Sequence, residues 1–245
     1  MQEHELWITA LFNRFLAGPA NALLDLFRLR VEDPKHPWSN WMAMEILVFV
    51  IILVLFAVLR TRLSVDKPGK LQHIFEVIYD FLRNNAEEVG IHHPGRFIAY
   101  FGTLFIFILF CNLIGIIPTL ESPTMFPMVP AGLAIATFVY YNFMGFKEQG
   151  VFRYMAHFAG PMPLLAPLMF PIEIVSHLAR PLSLTIRLFA NMFAGEQVTL
   201  AFLKLTLLFA PAIFMGLHVF VSVLQAYVFT LLAMIYVSGA VEHEQ

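Results

Sequence analysis

The longest uncharged stretch in the chain covers residues 205–241, where 37 consecutive positions carry no Lys, Arg, Asp or Glu. A helix of roughly 20 apolar residues crosses the ~30 Å hydrocarbon core of a bilayer, so this stretch is nearly twice as long as one upright span. It has no polar turn at its middle, which a hairpin of two spans would need. We therefore predict one long helix with a steep tilt, which packing against a large partner would impose.

The chain is too apolar for a soluble domain. Of its 245 residues, 59% are hydrophobic and 13% are charged, whereas soluble domains have about 45–50% apolar and about 25% charged residues. The long apolar stretches do not alternate in polarity, which excludes a membrane β-barrel. The formal net charge of −2 gives no reason to expect a nucleic-acid partner. The single cysteine, Cys111, precludes an intrachain disulfide. We predict an all-α integral membrane protein.

Three further apolar stretches predict helices that cross the bilayer upright. They cover residues 42–59, 97–118 and 128–146, and each has about the length that one span requires. Two long tilted helices follow, at about residues 164–196 and 200–241. The predicted architecture is thus about three upright spans plus two steeply tilted helices within the membrane.

Two other segments have the pattern of amphipathic surface helices. Residues 6–29 and residues 71–82 both carry apolar side chains at helical spacing among charged and amide side chains. We assign residues 1–41 to an N-terminal surface segment and residues 42–245 to a single transmembrane domain.

The distribution of positive charge predicts the orientation. Six of the fifteen Lys and Arg residues lie between Arg60 and Arg96, whereas the connection at residues 119–127 has none. Because cytoplasmic loops are enriched in Lys and Arg, we expect the basic segment in the cytoplasm and the connection outside. The N-terminus is then also outside.

Polar and charged side chains form one stripe on the first long helix. At 100° per residue, five of them fall within about 80° of one another. An arginine at bilayer depth costs at least ~2.5–3.5 kcal/mol on insertion scales, so Arg187 requires a functional reason. The stripe consists of Glu173, His177, Arg180, Arg187 and Asn191.

The last long helix carries a second polar stripe. His218, Ser222, Gln225 and Tyr236 stand at offsets of 0, 4, 7 and 18 residues, which places them on one face of a helix. Two polar stripes on two otherwise apolar helices are typical of a path for protons or other ions.

Other interpretations compete with an ion path. A lone Ser, Asn or Gln in a membrane helix often serves only as a hydrogen bond between helices. A standalone channel or an ion-coupled secondary transporter could use the same buried charges, although such transporters usually contain internal repeats, which we do not find. A purely structural scaffold leaves Arg187 unexplained. No metalloprotease, dithiol, hydrolase or phosphate-loop motif occurs, and we expect neither a cofactor nor a metal site.

The residues around Arg187 resemble a known family. Positions 180–196 read RPLSLTIRLFANMFAGE, which closely resembles the signature of subunit a of the F-type ATP synthase. Supporting matches are NLIGIIP at 112–118, KEQG at 147–150 and LQAYVF at 224–229. The resemblance covers about residues 42–245.

The resemblance implies a role for individual residues. Arg187 matches the essential arginine, Asn191 and Glu196 match the polar residues after it, and His218 and Gln225 match a pair on the last helix. Such a subunit has no ATP site; it provides two aqueous half-channels through which protons reach the carboxylates of a rotating ring of c subunits. The implied proton path comprises Glu196, His218, Gln225, Asn191, Ser183, Glu173, His177, Ser222 and Tyr236.

The resemblance also implies partners and a location. The expected partners are the c-subunit ring, the b subunits of the peripheral stalk, the rest of the FoF1 complex and lipid, in a bacterial inner membrane. We expect Glu196 and His218 to form one proton-relay pair, and the polar stripe of the last helix to touch the ring. The connection at residues 121–130 is less polar than is usual in the family.

Overall fold

Helices form all the regular secondary structure in the part of the chain that the computed structural model describes, which comprises residues 5–26, 35–64, 68–117, 119–150, 154, 166–205 and 209–241. Short 3₁₀ turns precede two of the helices, at Pro94–Arg96 and Pro123–Met125. The α-helices are α1 (Trp7–Leu26), α2 (Asn40–Thr61), α3 (Lys70–Glu88), α4 (Ile98–Ile114), α5 (Met128–Gln149), α6 (Ala166–Leu205) and α7 (Phe209–Val241).

The apolar helices confirm the predicted all-α membrane class. Within the described residues, α2, α5 and the part Ile213–Val241 of α7 are long and apolar enough to cross a bilayer. Helix α4 is equally apolar in character but shorter. Helix α3 has the predicted amphipathic pattern near its end: Leu82 and Ala86, one turn apart, are buried, whereas the charged residues Arg83 and Glu87 are exposed.

The two long helices are longer than an upright span. Helix α6 has 40 residues and α7 has 33, which correspond to lengths of about 60 Å and about 50 Å. From Phe209 onward α7 continues without a break, so no hairpin turn interrupts it. Helix α6, however, continues past its predicted end near residue 196 as far as Leu205. Residues 197–205 contain neither Gly nor Pro, and nothing there ends a helix.

Helix α7 lies at the centre of the packing and contacts α4, α5 and α6. Helix α6 turns one apolar ridge towards the core that it shares with α4, α5 and α7, and the ridge residues Leu184, Leu188 and Met192 are almost completely buried. Between helices in lipid, close packing and interhelical hydrogen bonds replace the hydrophobic effect as the source of association. The tight burial along this ridge therefore fixes how α6 lies relative to α7.

A buried polar network attaches the connection between α4 and α5 to the helices. The Thr124 hydroxyl donates to Asn112 Oδ1 at 2.6 Å, and Asn112 Nδ2 donates to the Ser222 carbonyl of α7 at 3.3 Å. The Ser122 hydroxyl lies 2.7 Å from the Thr124 hydroxyl and donates to the Cys111 carbonyl at 2.8 Å. These groups satisfy one another away from water, so the connection is held close against α4 and α7.

The close approach of this connection to α4 requires a glycine at position 115. A Cβ on Gly115 would lie 2.8 Å from Ser122 Cβ and 3.0 Å from the Ser122 backbone nitrogen. We expect Gly115→Ala to destabilise the protein by about 1–3 kcal/mol, the usual cost of overpacking. Gly102→Ala within α4 is the control, because a Cβ there meets nothing within 4 Å. The measurement is the apparent melting temperature of the detergent-purified protein. Equal melting temperatures of the two variants would contradict the expected clash.

Candidate functional site

A hydrogen bond joins the two polar stripes. Asn191 Nδ2 of α6 donates to Gln225 Oε1 of α7 at 2.8 Å. Gln225 is buried, and Met192 beside Asn191 packs into the core. The stripes predicted on the two long helices therefore meet along a shared seam.

Arg187 lies on α6 at the edge of this seam. It is partly exposed, and its neighbours Leu184 and Leu188 are buried on the side that faces the core. Among the residues that the structure describes, Arg187 takes part in none of the ion pairs or hydrogen bonds. Ser183, one turn earlier and about 40° around the helix, is exposed. The guanidinium therefore has no carboxylate partner within the described chain.

An open face of small residues runs along α6 next to Arg187. A helical surface of small side chains allows another helix to approach its backbone closely. On a regular helix the face lies about 20–80° from Arg187. Its exposed members are Ser176, Ala179, Ser183, Ala190 and Ala194.

Glu196 and His218 line one cavity of about 390 Å³. His218 is only 8% exposed, and its Nε2 atom has no hydrogen-bond partner in the described residues. Its ring rests on Gly195, where a Cβ would lie 3.0 Å from Nδ1. In the described part of the chain, Glu196 and His218 share the cavity wall without a direct hydrogen bond. Such a space has room for several water molecules between a carboxyl group and an imidazole.

A second charged cluster lies nearer the start of α6. Arg180 Nη2 is 3.7 Å from Glu173 Oε1, and the guanidinium carbon stands 5.2 Å from the centre of the Tyr236 ring of α7. An ion pair that also stacks on an aromatic face is a stabilising arrangement for an arginine. Arg180, unlike Arg187, is thus neutralised within the chain.

His177 belongs to a polar cluster between α5 and α6. Its Nε2 atom lies 2.9 Å from Asn142 Oδ1 and 3.4 Å from the Tyr141 hydroxyl. The Tyr154 hydroxyl also donates to Asn142 Oδ1, at 3.0 Å. These contacts give His177 a structural environment within the α5–α6 interface.

The polar stripe of α7 faces into the chain. His218, Ser222 and Gln225 are at least nine-tenths buried, whereas Phe220 is 60% exposed and Val223 is 43% exposed. These three side chains therefore face other helices of the same chain, whereas Tyr236 of the stripe is half-buried. Contact of this stripe with a ring of other subunits stays a prediction. The three side chains lie where α4, α5 and α6 pack against α7. Gln225 Oε1 accepts a hydrogen bond from Asn191 there, whereas His218 Nε2, the Ser222 hydroxyl and Gln225 Nε2 have no hydrogen-bond partner among the described residues.

Sequence reasoning missed three polar residues near these clusters. Thr199 and Glu121 line the cavity with Glu196 and His218, and Asn142 bonds His177. The sequence could have singled out Glu121, because it is the only charged residue between Arg96 and Lys147. In the described residues, no three His, Cys, Asp or Glu side chains form a group that could hold a metal ion.

Comparisons with known proteins agree with the predicted resemblance. The family model described as ATP synthase A chain matches residues 42–238. The chain is 64% identical over 234 residues to an ATP synthase subunit a of Solibacter usitatus (strain Ellin6076), covering 96% of this chain and 100% of that protein. It is 49% identical over 240 residues to an ATP synthase subunit a of Koribacter versatilis (strain Ellin345), covering 98% of each. On this evidence the chain belongs to the ATP synthase subunit a family.

Proposed function

We propose that this chain is the stationary proton-channel subunit of a bacterial ATP synthase membrane sector. Two aqueous half-channels lead protons to and from the carboxylates of a rotating ring of c subunits, and the essential Arg187 between the half-channels makes each arriving carboxylate exchange its proton. Proton flow thereby drives rotation and ATP synthesis. ATP binds to other subunits of the enzyme, in line with a sequence that has no phosphate-loop motif, and the b subunits of the peripheral stalk keep this chain stationary in the inner membrane.

The position of Arg187 carries the proposal. It lies at the edge of the open face of α6 without an acidic partner in the described chain, and we infer that another molecule supplies its counter-charge. A guanidinium stays charged at any working pH and favours the ionised form of a carboxylate brought within a few ångströms. Arg187 would therefore release the proton from each arriving ring carboxylate and bar direct passage between the half-channels.

The two polar clusters fit the two half-channels because they lie on opposite sides of Arg187 along α6. Glu196 is nine residues beyond it, roughly 14 Å along a helix, and Glu173 is fourteen residues before it, roughly 21 Å. The cavity at Glu196 and His218 would form the outer half-channel. The cluster of Glu173, His177, Arg180 and Tyr236 would border the inner one.

Other contacts support placing the cavity at Glu196 and His218 on the outer side of the membrane. Leu6, near the N-terminus, lines the same cavity as Glu121 of the α4–α5 connection, so both lie at one end of the molecule. Gln149 Nε2 at the end of α5 donates to the Ala240 carbonyl at the end of α7, at 3.1 Å. The basic residue Arg96 pairs with Glu148 at that same end. By the positive-inside rule, the end with Gln149 is cytoplasmic and the N-terminus is outside.

Cysteine crosslinking in membranes that contain the complete enzyme tests the docking of the ring. In a Cys111→Ser background, Ser183→Cys and Ala190→Cys on the open face of α6 should crosslink to a cysteine placed beside the ring carboxylate. Leu184→Cys is the control, because Leu184 is only 2% exposed and faces the core. If the two exposed positions crosslink no more than position 184, the ring does not dock here. The rival function, a standalone channel or secondary transporter, would then be favoured.

A further inference from the structure

We propose that Glu121 is the entrance residue of the outer half-channel and that Asn40 positions its carboxylate. This inference rests on the proposed function, because it assigns a residue to the half-channel that contains Glu196 and His218. It adds a third ionisable group to the cavity and names the side chain that holds it.

The cavity brings Glu121 together with residues far away in sequence. Its wall includes Glu121 and Thr119 from the α4–α5 connection, Glu196 from α6 and His218 from α7. The His218 Nε2 atom, in a side chain more than nine-tenths buried, has no hydrogen-bond partner among the described residues. A buried polar atom at a cavity wall calls for a hydrogen-bond partner inside the cavity, such as water.

Asn40 connects three segments at the edge of this cavity. Its side chain is 5% exposed. Its Nδ2 atom lies 3.5 Å from Glu121 Oε2, and its Oδ1 atom accepts a hydrogen bond from the Leu6 backbone N–H at 3.2 Å. Leu6 itself lines the cavity. Asn40 therefore links the Glu121 carboxylate to the backbone of Leu6, and both Glu121 and Leu6 line the cavity.

The charges of the cavity suit a stepwise proton transfer. Glu121 and Glu196 line the same cavity, and two carboxylates that share a site cost more to ionise together than singly. The Glu121 carboxylate takes a proton from outside water and passes it to a water molecule in the cavity. That water gives a proton to Glu196 or His218, and Glu121 returns to its carboxylate form. The net change is the transfer of one proton from a hydronium ion outside to Glu196 or His218, while Glu121 and the cavity water return to their starting forms.

Glu121→Gln in the complete enzyme tests the carboxylate, with ATP-driven proton pumping into inverted membrane vesicles as the measurement. We expect pumping to fall by about tenfold or more, a loss typical of a removed proton-transfer group. Glu121→Asp, which keeps a carboxylate, should recover part of it. Wild-type pumping in Glu121→Gln would overturn the inference.

Glu5→Gln is the matched control. Glu5 also accepts a hydrogen bond from an asparagine, Asn13 Nδ2 at 2.8 Å, and this bond lowers the pKa of the Glu5 carboxyl group. Glu5 is thus a nearby carboxylate in a similar setting, but it does not line the cavity. Its replacement should leave pumping unchanged, and an equal loss in Glu5→Gln and Glu121→Gln would overturn the specific role of Glu121.

Asn40→Asp tests the positioning role. Aspartate keeps an acceptor for the Leu6 N–H but places a negative charge beside the Glu121 carboxylate, so pumping should fall. Adding Asn40→Asp to Glu121→Gln should cause little further loss, because both changes affect one step. Losses that multiply would show that Asn40 acts independently of Glu121.

Two further variants keep the outcome decisive. If Glu121→Gln lowers the amount of the chain in the membrane, a second variant is tested instead. This variant is Glu121→Cys in the Cys111→Ser background, and its pumping is measured with and without silver ion. Silver should stop pumping in that variant and not in Glu5→Cys, and insensitivity of Glu121→Cys would overturn the inference. Arg187→Ala is assayed in parallel. Normal pumping in Arg187→Ala refutes the proposed function itself, whereas normal pumping in Glu121→Gln alone refutes only this inference.

Discussion

Replacing Arg187 by Ala is expected to abolish ATP-driven proton pumping by the reconstituted enzyme and to raise the passive proton leak through it. Arg187 stands between the two polar clusters and, in the described chain, has no carboxylate of its own. Alanine cannot stabilise an ionised ring carboxylate, so the carboxylate would keep its proton as it passes. It also removes the fixed positive charge that keeps protons from crossing directly between the half-channels.

Lysine at the two arginine positions of α6 gives the matched comparison. Arg187→Lys should not restore full pumping, because lysine lacks the planar guanidinium and can lose its proton when buried. Arg180→Lys should retain most of the activity, since a lysine can still pair with Glu173 and stack on Tyr236. Undiminished pumping in Arg187→Ala would refute the proposed mechanism. Equal losses in the two lysine variants would refute the special position of Arg187.

Single replacements of Glu196 or His218 by Ala are expected to slow pumping strongly. The two side chains line one cavity, and water between them can carry a proton from one to the other. Exchanging them, Glu196→His with His218→Glu, keeps one carboxyl group and one imidazole in the cavity. The exchanged variant should therefore regain part of the activity that either single change removes.

Thr199→Val provides the control for this exchange. Thr199 lines the same cavity, but its hydroxyl already donates to the Gly195 carbonyl at 2.8 Å and cannot carry charge. We expect its replacement to leave most of the pumping intact. If the exchanged double variant shows only the combined loss of the two single variants, Glu196 and His218 act separately and do not form a relay.

The polar stripe of α6 illustrates what helical periodicity can predict. Arg187 and Asn191 were placed near the same face from their spacing alone, and the bond from Asn191 to Gln225 agrees with two stripes that meet. The direction in which the α7 stripe points was not predictable in this way. Both sides of α7 are apolar, with Phe220 and Val223 exposed and Phe229 buried, so its composition does not distinguish a lipid-facing side from a packed one.

Helical periodicity also could not predict the cavity, because the cavity is lined by residues that are far apart in the chain. Glu196 and His218 were predicted to be neighbours through the family resemblance, whereas Glu121 and its contact with Asn40 were not anticipated. That contact joins residues 81 positions apart. It depends on the close approach of the connection to α4 at Gly115 and on the network around Asn112. No local pattern specifies such an approach.

The sequence by itself determined the class of the protein, its two long helices and the exceptional position of Arg187. These features follow from local properties, namely apolar length, helical period and the cost of a charge in a bilayer. Only the tertiary structure decided that His218, Ser222 and Gln225 of α7 face inward, that within the described residues Arg180 is paired while Arg187 is not, and that Glu121 shares a cavity with Glu196 and His218. The reason is physical: in a chain whose helices are apolar on nearly every side, packing between distant segments decides which polar groups meet.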